Sequence, residues 1–356
     1  LREKQSSPTS AFVFSTGNNS NNYSNAPTEY PNAVRPVGDL NGDGRADFSL
    51  STNNGPAIGF GPAAVEDGLS SDVSIPKSSS ETIDFRDSGP LGDVTGNGES
   101  NVILGVQGPT QFGYRRVGVS GGSAQTTDLL FNNADYQESA LVAGANVGDW
   151  GGDSSDDAAL VRVRDDGSQT TGAVNIYFGD PTQQIEPDLT LTNPNNARVK
   201  NVAAGDFTGN GQPNLAVVWA DSLPNISIYE AGSGTSPIKT YDTGAIASIE
   251  EGNGTLNTAT ASTIGNVGDV NGDGIEDFLV GAADTQVGGT PVQETFLFLG
   301  AASLPNGPNV RVDYSGQSTD PNTLGSGIQG LGDINGDGVD DFAVGDLQGN
   351  SRYGQD

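Results

Sequence analysis

The 356 residues carry 45 acidic against 15 basic side chains, and a net charge of −30 makes nucleic acid and anionic membrane surfaces poor partners. Cysteine and histidine are both absent, which excludes disulfides, thiol chemistry, the usual catalytic triads and the HExxH zinc motif. No apolar run approaches a membrane span, and 33% apolar residues beside 52 glycines describe a turn-rich chain of β type.

Taken in order, Leu1–Ser10 is polar and reads as irregular. Ala11-Phe-Val-Phe-Ser-Thr-Gly17 reads as a strand, and Asn18–Asn32, rich in Asn, Ser and Pro, as a long loop carrying Tyr23 and Tyr30. One pattern then recurs six times: GDLNGDGRADFSL around Asp39, GDVTGNGESNVIL around Asp93, GDWGGDSSDDAAL around Asp149, GDFTGNGQPNLAV around Asp206, GDVNGDGIEDFLV around Asp269 and GDINGDGVDDFAV around Asp333. The first aspartates are 54, 56, 57, 63 and 64 residues apart.

After each loop an apolar run predicts a strand. The expected strands are Asp47–Leu50 and Ala57–Phe60, Asn101–Val106 and Tyr114–Val119, then Ala158–Val163 and Ala173–Phe178 around a turn at Asp165-Asp166-Gly167. Leu215–Trp219 and Ile226–Tyr229 follow, then Phe278–Val280, Thr295–Leu299 and Asn309–Tyr314, and last Asp341–Gly345. Thr243–Ser262 is the longest insertion and is polar. Several short strands per unit of this period, with no helical pattern, read as the blades of one β-propeller domain spanning residues 1–356.

The loops carry the chemistry. Oxygen side chains at positions 1, 3, 5 and 9 of a tight turn, with a backbone carbonyl at position 7, suit a hard cation such as Ca²⁺, which takes six to eight oxygens. Glycine at position 6 allows the positive φ that makes the side chains converge. This is not an EF-hand, because the twelfth position from Asp269 is Val280 rather than a bidentate Glu. Three loops supply three carboxylates and an Asn: Asp39, Asn41, Asp43 and Asp47 with the Arg45 carbonyl; Asp269, Asn271, Asp273 and Asp277 with that of Ile275; Asp333, Asn335, Asp337 and Asp341 with that of Val339. The third loop offers Asp149, Asp153 and Asp157, but has Gly151 at position 3 and Ser154 at position 6, with Asp156 able to compensate. The second (Asp93, Thr95, Asn97, Asn101) and fourth (Asp206, Thr208, Asn210, Asn214) keep one carboxylate each, so either a weakly held ion or Asn and Thr hydrogen bonds alone hold them. Three to six calcium ions are therefore expected, pinning hairpins rather than catalysing.

These repeats resemble FG-GAP repeats, the blades of the integrin α-subunit β-propeller and of related bacterial and fungal proteins. In that family the calcium loop joins strands one and two, strand two ends near a GAP-like tripeptide, and strand three reads like G-x-V-Y-x-Y-x-G. Gly281-Ala282-Ala283 and Gly172-Ala-Val-Asn-Ile-Tyr-Phe-Gly179 match those features, and the six copies cover nearly the whole chain. The resemblance implies a calcium-stabilised extracellular or cell-surface propeller that binds a protein or glycan, with the ligand face opposite the calcium loops. A polysaccharide-active enzyme of lyase type, or a lectin, is the alternative on the same scaffold. The expected ring has six blades, closed by Ala11–Gly17 completing the sixth; a seven-bladed ring with one blade outside this sequence is the alternative. Without an initiating Met or a visible signal peptide, the chain reads as a processed piece of a longer surface protein.

Smaller features remain. Arg115-Arg116 and Arg162/Arg164 either bind an acidic sugar or are solvated strand residues. Tyr23, Tyr30, Phe112, Tyr136 and Trp219 are candidates for ligand contact or for blade packing. Sequons begin at Asn18, Asn22, Asn225 and Asn253.

Overall fold

The structure is a computed structural model. It describes residues 34–43, 45, 47–52, 55–60, 73–76, 82–107, 111–120, 122–132, 141–165, 170–180, 182, 186–193, 195–220, 225–242, 245, 260–287, 290–312 and 324–346. The expected strand Ala11–Gly17, the loop Asn18–Asn32 with Tyr23 and Tyr30, Tyr136, the turn residues Asp166-Gly167, most of the Thr243–Ser262 insertion and the sequons at Asn18, Asn22 and Asn253 lie outside the described residues.

The described elements are β-strands in six antiparallel sheets, each a meander in sequence order. Sheet I comprises β1 (Val34–Gly38), β2 (Asp47–Thr52), β3 (Gly55–Gly59) and β4 (Val73–Ser74). Sheet II comprises β5 (Thr82–Gly92), β6 (Asn101–Gln107), β7 (Gln111–Ser120) and β8 (Ser123–Asn132). Sheet III comprises β9 (Leu141–Asn146), β10 (Ala158–Asp165), β11 (Thr170–Tyr177) and β12 (Leu189–Thr192). Sheet IV comprises β13 (Val199–Gly205), β14 (Asn214–Trp219), β15 (Ile226–Glu230) and β16 (Lys239–Tyr241). Sheet V comprises β17 (Thr260–Gly268), β18 (Asp277–Val287), β19 (Thr290–Phe298) and β20 (Val310–Val312). Sheet VI pairs β21 (Leu324–Gly332) with β22 (Asp341–Asp346).

Every acidic loop joins the first and second strands of its sheet. The second and third strands fall where the apolar runs predict them, with Thr260–Ser262 of the expected insertion belonging instead to β17. The first strands were not legible as apolar runs, and their irregular pairing explains this. Register shifts fall at Pro36/Gly38, Pro90/Gly92, Asn266/Gly268 and Gly330/Gly332, immediately before four of the loops. Gly92, Gly268 and Gly332 have φ of 69°, 74° and 66°, the left-handed conformation that a glycine bulge uses to aim the chain into a turn.

The chain forms two compact units. The first holds sheets I and II together with Gly179–Ile185, and its core joins Val37, Leu40, Ile58 and Val73 to Val102, Leu104, Val117 and Val119. In the second unit β14 is buried along its whole length, which is why it reads as a continuous apolar run rather than an alternating one. Leu215, Val217 and Trp219 pack with Val161, Val174 and Ile176 of sheet III, whereas Ala216 and Val218 pack with Phe278, Val280 and Phe296 of sheet V. Each buried Val, Leu, Ile or Phe among them contributes about 1.5–3 kcal/mol, so contact on both faces is what holds sheet IV. Phe278 stacks on Phe298 at 4.9 Å and meets Phe207, the second residue of the fourth loop, at 5.0 Å. Loop and sheet are thereby one packed unit.

Candidate metal-binding loops

All six loops share one backbone scaffold. The N–H at position 5 donates to Oδ1 of the first aspartate in every copy. The N–H at position 7 donates to Oδ1 of the position-5 side chain, again in every copy. Short Asp and Asn side chains bond their own backbone two to four residues on, so this local chemistry draws the turn tight. At position 6 Gly98, Gly211, Gly274 and Gly338 have φ of 83°, 77°, 85° and 91°, and Ser154 is forced to 74°.

The Asp269 loop is the fullest. Asp269 Oδ1 accepts from Gly272 and Asp273 at 2.7 and 3.0 Å, and its Oδ2 from Gly274 at 2.7 Å. Burial works against the charge on Asp269, but the N–H groups of Gly274, Gly272, Asp273 and Asn271 outweigh it and hold the pKa below the ordinary carboxylate value. Asp277, at position 9, forms the loop floor and is wholly buried. Its Oδ1 accepts from Gly300 N–H at 2.7 Å and its Oδ2 from Val270 N–H at 3.0 Å. Burial nevertheless pushes its pKa up to about 6, and the charges of Asp273 and Asp269 push the same way.

The Asp333 loop repeats this, with N–H groups led by Gly338 holding Asp333 below its usual range and Asp341 Oδ2 accepting from Ile334. Asn335 Nδ2 reaches Asp341 Oδ1 at 3.3 Å. In the Asp39 loop, buried Asp47 accepts from Leu40 N–H, Asn41 Oδ1 accepts from Asp43 N–H, and Arg45 forms an exposed ion pair with Asp43.

The donor set fits a hard divalent cation: oxygens only, with one buried carboxylate whose charge is further disfavoured by two others on the same loop. An ionised carboxylate has about four lone-pair sites, so Asp277, which accepts two N–H bonds, keeps room for a ligand role. The geometry is relaxed, however. Among the described residues no three acidic side chains are drawn together as a metal cage.

The other loops depart in instructive ways. In the third, Asp149 accepts from Gly152, Asp153 and Ser154, and buried Asp157 from Gly151 at 2.6 Å. In the second, Asp93 accepts from Asn97 and Gly98 N–H groups and from the Thr95 hydroxyl, while Arg116 Nη1 donates to Asn101 Oδ1 at 2.6 Å. In the fourth, Asp206 accepts from Asn210 and Gly211, and Glu230 at the end of β15 reaches into the loop. Glu230 Oε2 accepts from Thr208 Oγ1 at 3.1 Å, Asn210 Nδ2 at 3.0 Å and Asn214 Nδ2 at 3.3 Å. Successive loops are also tied together. Glu276 Oε2 accepts from Asp206 N–H at 2.7 Å, and Asp340 Oδ2 from Asp269 N–H at 2.9 Å. Glu230, Glu276 and Asp340 were not among the expected site residues, and Arg116 was expected only as an acidic-sugar contact or a solvated strand residue. The acidic position 8 of the last two loops was a visible signal, whereas nothing in the sequence pointed Glu230 or Arg116 to a loop.

The remaining candidates resolve into packing where they are described. Trp219 is fully buried, its indole N–H on Ser227 Oγ at 3.1 Å. Arg115 is buried in a two-pronged pair with Asp128, and Arg116 lies 3.1 Å from Asp180, so neither is a solvated strand residue. The Asn225 sequon is also buried. Its amide donates to Trp219 O and accepts from Ala261 N–H, which makes it a clamp between sheets IV and V. No protein-family model matches the chain, and no curated protein matches it either.

Proposed function

We propose that the chain is a calcium-stabilised β-propeller of FG-GAP type, an extracellular or cell-surface module that binds a protein or glycan rather than transforming it. The observation that carries the calcium reading is Asp277: a buried carboxylate whose charge is disfavoured by Asp269 and Asp273 on the same loop. A divalent cation turns that mutual repulsion into attraction, and its binding energy becomes folding energy. Asp269, Asn271, Asp273, Asp277 and the Ile275 carbonyl would hold it, with the matching residues of the Asp39 and Asp333 loops. The N–H bonds described above keep these side chains oriented.

The six sheets are the proposed blades of one ring, closed by the strand Ala11–Gly17 added to β22. Sheet VI carries an apolar surface that a neighbouring blade of a closed ring would cover. At position 2 of the loops Leu40, Val94, Trp150 and Phe207 are buried, yet Ile334 is 70% exposed. Phe342 and Val344 are only partly covered, whereas Phe278 and Val280, their counterparts on β18, are fully buried.

Chelation tests the calcium reading. EDTA is expected to lower the melting temperature and added Ca²⁺ to restore it, as mass action requires for a ligand of the folded state. Asp273→Ala should cost much more than Asn97→Ala, and equal costs would contradict the ranking of the loops. A glycan array followed by a turnover assay on whatever binds tests the rest. Binding without product release is expected, and released product would turn the reading toward a polysaccharide-active enzyme.

A further inference from the structure

The fourth loop carries an arrangement of its own. Positions 3, 5 and 9 are Asn271, Asp273 and Asp277 in the fifth loop, and Thr208, Asn210 and Asn214 here. These are the positions assigned to a cation, and in the fourth loop all three converge on Glu230 Oε2, at 3.1, 3.0 and 3.3 Å. The polarity is inverted: an anionic oxygen stands at the centre, surrounded by one hydroxyl and two amide donors.

The amides have no freedom to turn round. Asn210 Oδ1 accepts from Gln212 N–H at 2.8 Å, and Asn214 Oδ1 from Thr208 N–H at 3.1 Å. Backbone donors thereby fix which end of each amide is oxygen, and both NH₂ groups must face Glu230. A cation at the same point would meet N–H hydrogens. In sheet V the place of Glu230 belongs to Leu299, one residue beyond the Phe278–Phe298 pair, where a carboxylate would face Asp273 and Asp277 in place of the two amide donors. The loss of two loop carboxylates and the gain of Glu230 are therefore complementary changes.

We propose that Glu230 takes the place of calcium in the fourth loop, which makes this loop a metal-independent brace and excludes the ion from it. The inference rests on the calcium reading of the other loops. The second loop follows the same logic with the opposite sign, a tethered guanidinium from Arg116 engaging the position-9 oxygen of Asn101 at 2.6 Å.

The test uses the whole chain and Ca²⁺ itself, with bound metal counted after gel filtration and thermal unfolding followed with and without EDTA. Glu230→Gln is expected to lower the melting temperature by roughly 2–4 °C or more, equally in calcium and in EDTA, with the bound-ion count unchanged. The variant T208N/N210D/N214D/E230L, which copies the fifth loop, is expected to bind about one more ion per chain. If Glu230→Gln instead releases an ion, or loses stability only in calcium, Glu230 is a ligand and the proposal fails. Should the fourfold variant not fold, the single variant still decides. A wild-type chain indifferent to EDTA would overturn the calcium reading, while an equal loss on Glu230→Gln would still uphold the brace.

Discussion

Ser154 is the residue at which the repeat departs from its own rule. It holds φ at 74° in the position that glycine fills in the described neighbours, and an L side chain there costs about 1–2 kcal/mol. Ser154→Gly is expected to recover about 1 kcal/mol of that, read as a higher denaturation midpoint, unless the hydroxyl has a role that the substitution would expose as a loss. Tyr241 offers a second test. Its ring is buried edge-on to Phe298 at 5.0 Å, and its hydroxyl finds no hydrogen-bond partner among the described residues. Burial pushes the phenol well above its usual pKa. A raised folded value means that the stabilisation is complete below the unfolded pKa of about 10 and is lost as the pH rises beyond it, because only the unfolded chain can then ionise the group. Tyr241→Phe should therefore be neutral or stabilising by up to about 1 kcal/mol at neutral pH and should flatten the alkaline loss of stability. Tyr229, raised by burial against its Ser227 bond, accounts for what sensitivity remains. An unchanged alkaline limb would show that Tyr241 ionises without unfolding.

Among the elements, the bulged first strand and the loop act as one device. A bulge before four of the loops turns the chain, the first aspartate gathers its N–H groups, and position 9 closes the floor. Position 8 adds a bond between neighbours: Glu276 accepts from Asp206 N–H and from Asn266 Nδ2, which in turn donates to Ala204 O at 2.8 Å. Glu276→Leu leaves these donors without their acceptor, and a loss of about 1–3 kcal/mol is expected. Glu276→Gln should recover part of it, since an amide oxygen still accepts. Equal losses for the two would mean that charge, and not acceptance, holds the loops together. The local half of this device was legible because nine consecutive residues carry both the turn chemistry and the oxygens. Glu276 was legible only as an acid at position 8; its acceptor role spans 70 residues.

For the whole molecule, the proposed clasp makes the sharpest demand. The chain has no cysteine, so Val13→Cys with Ala343→Cys is a clean pair, and oxidation should raise the melting temperature if Ala11–Gly17 lies beside β22. Failure to cross-link, together with a folded chain after removal of residues 1–17, would end the six-bladed closure and favour the seven-bladed alternative. By itself the sequence determined the β class, the six-fold repeat and the turn chemistry of the loops, because each is written within a few consecutive residues: short apolar runs, Asx turns and glycines at fixed offsets. The tertiary structure alone decided which of these equivalent positions behave alike. Leu40 and Ile334 occupy the same place in the repeat, yet one is buried and the other exposed, because burial depends on the neighbouring sheet rather than on the residue. Glu230 and Arg116 meet their loops across 20 and 15 residues, through strand pairing that carries no local signature. Charge at a loop is a property of everything that folds against it.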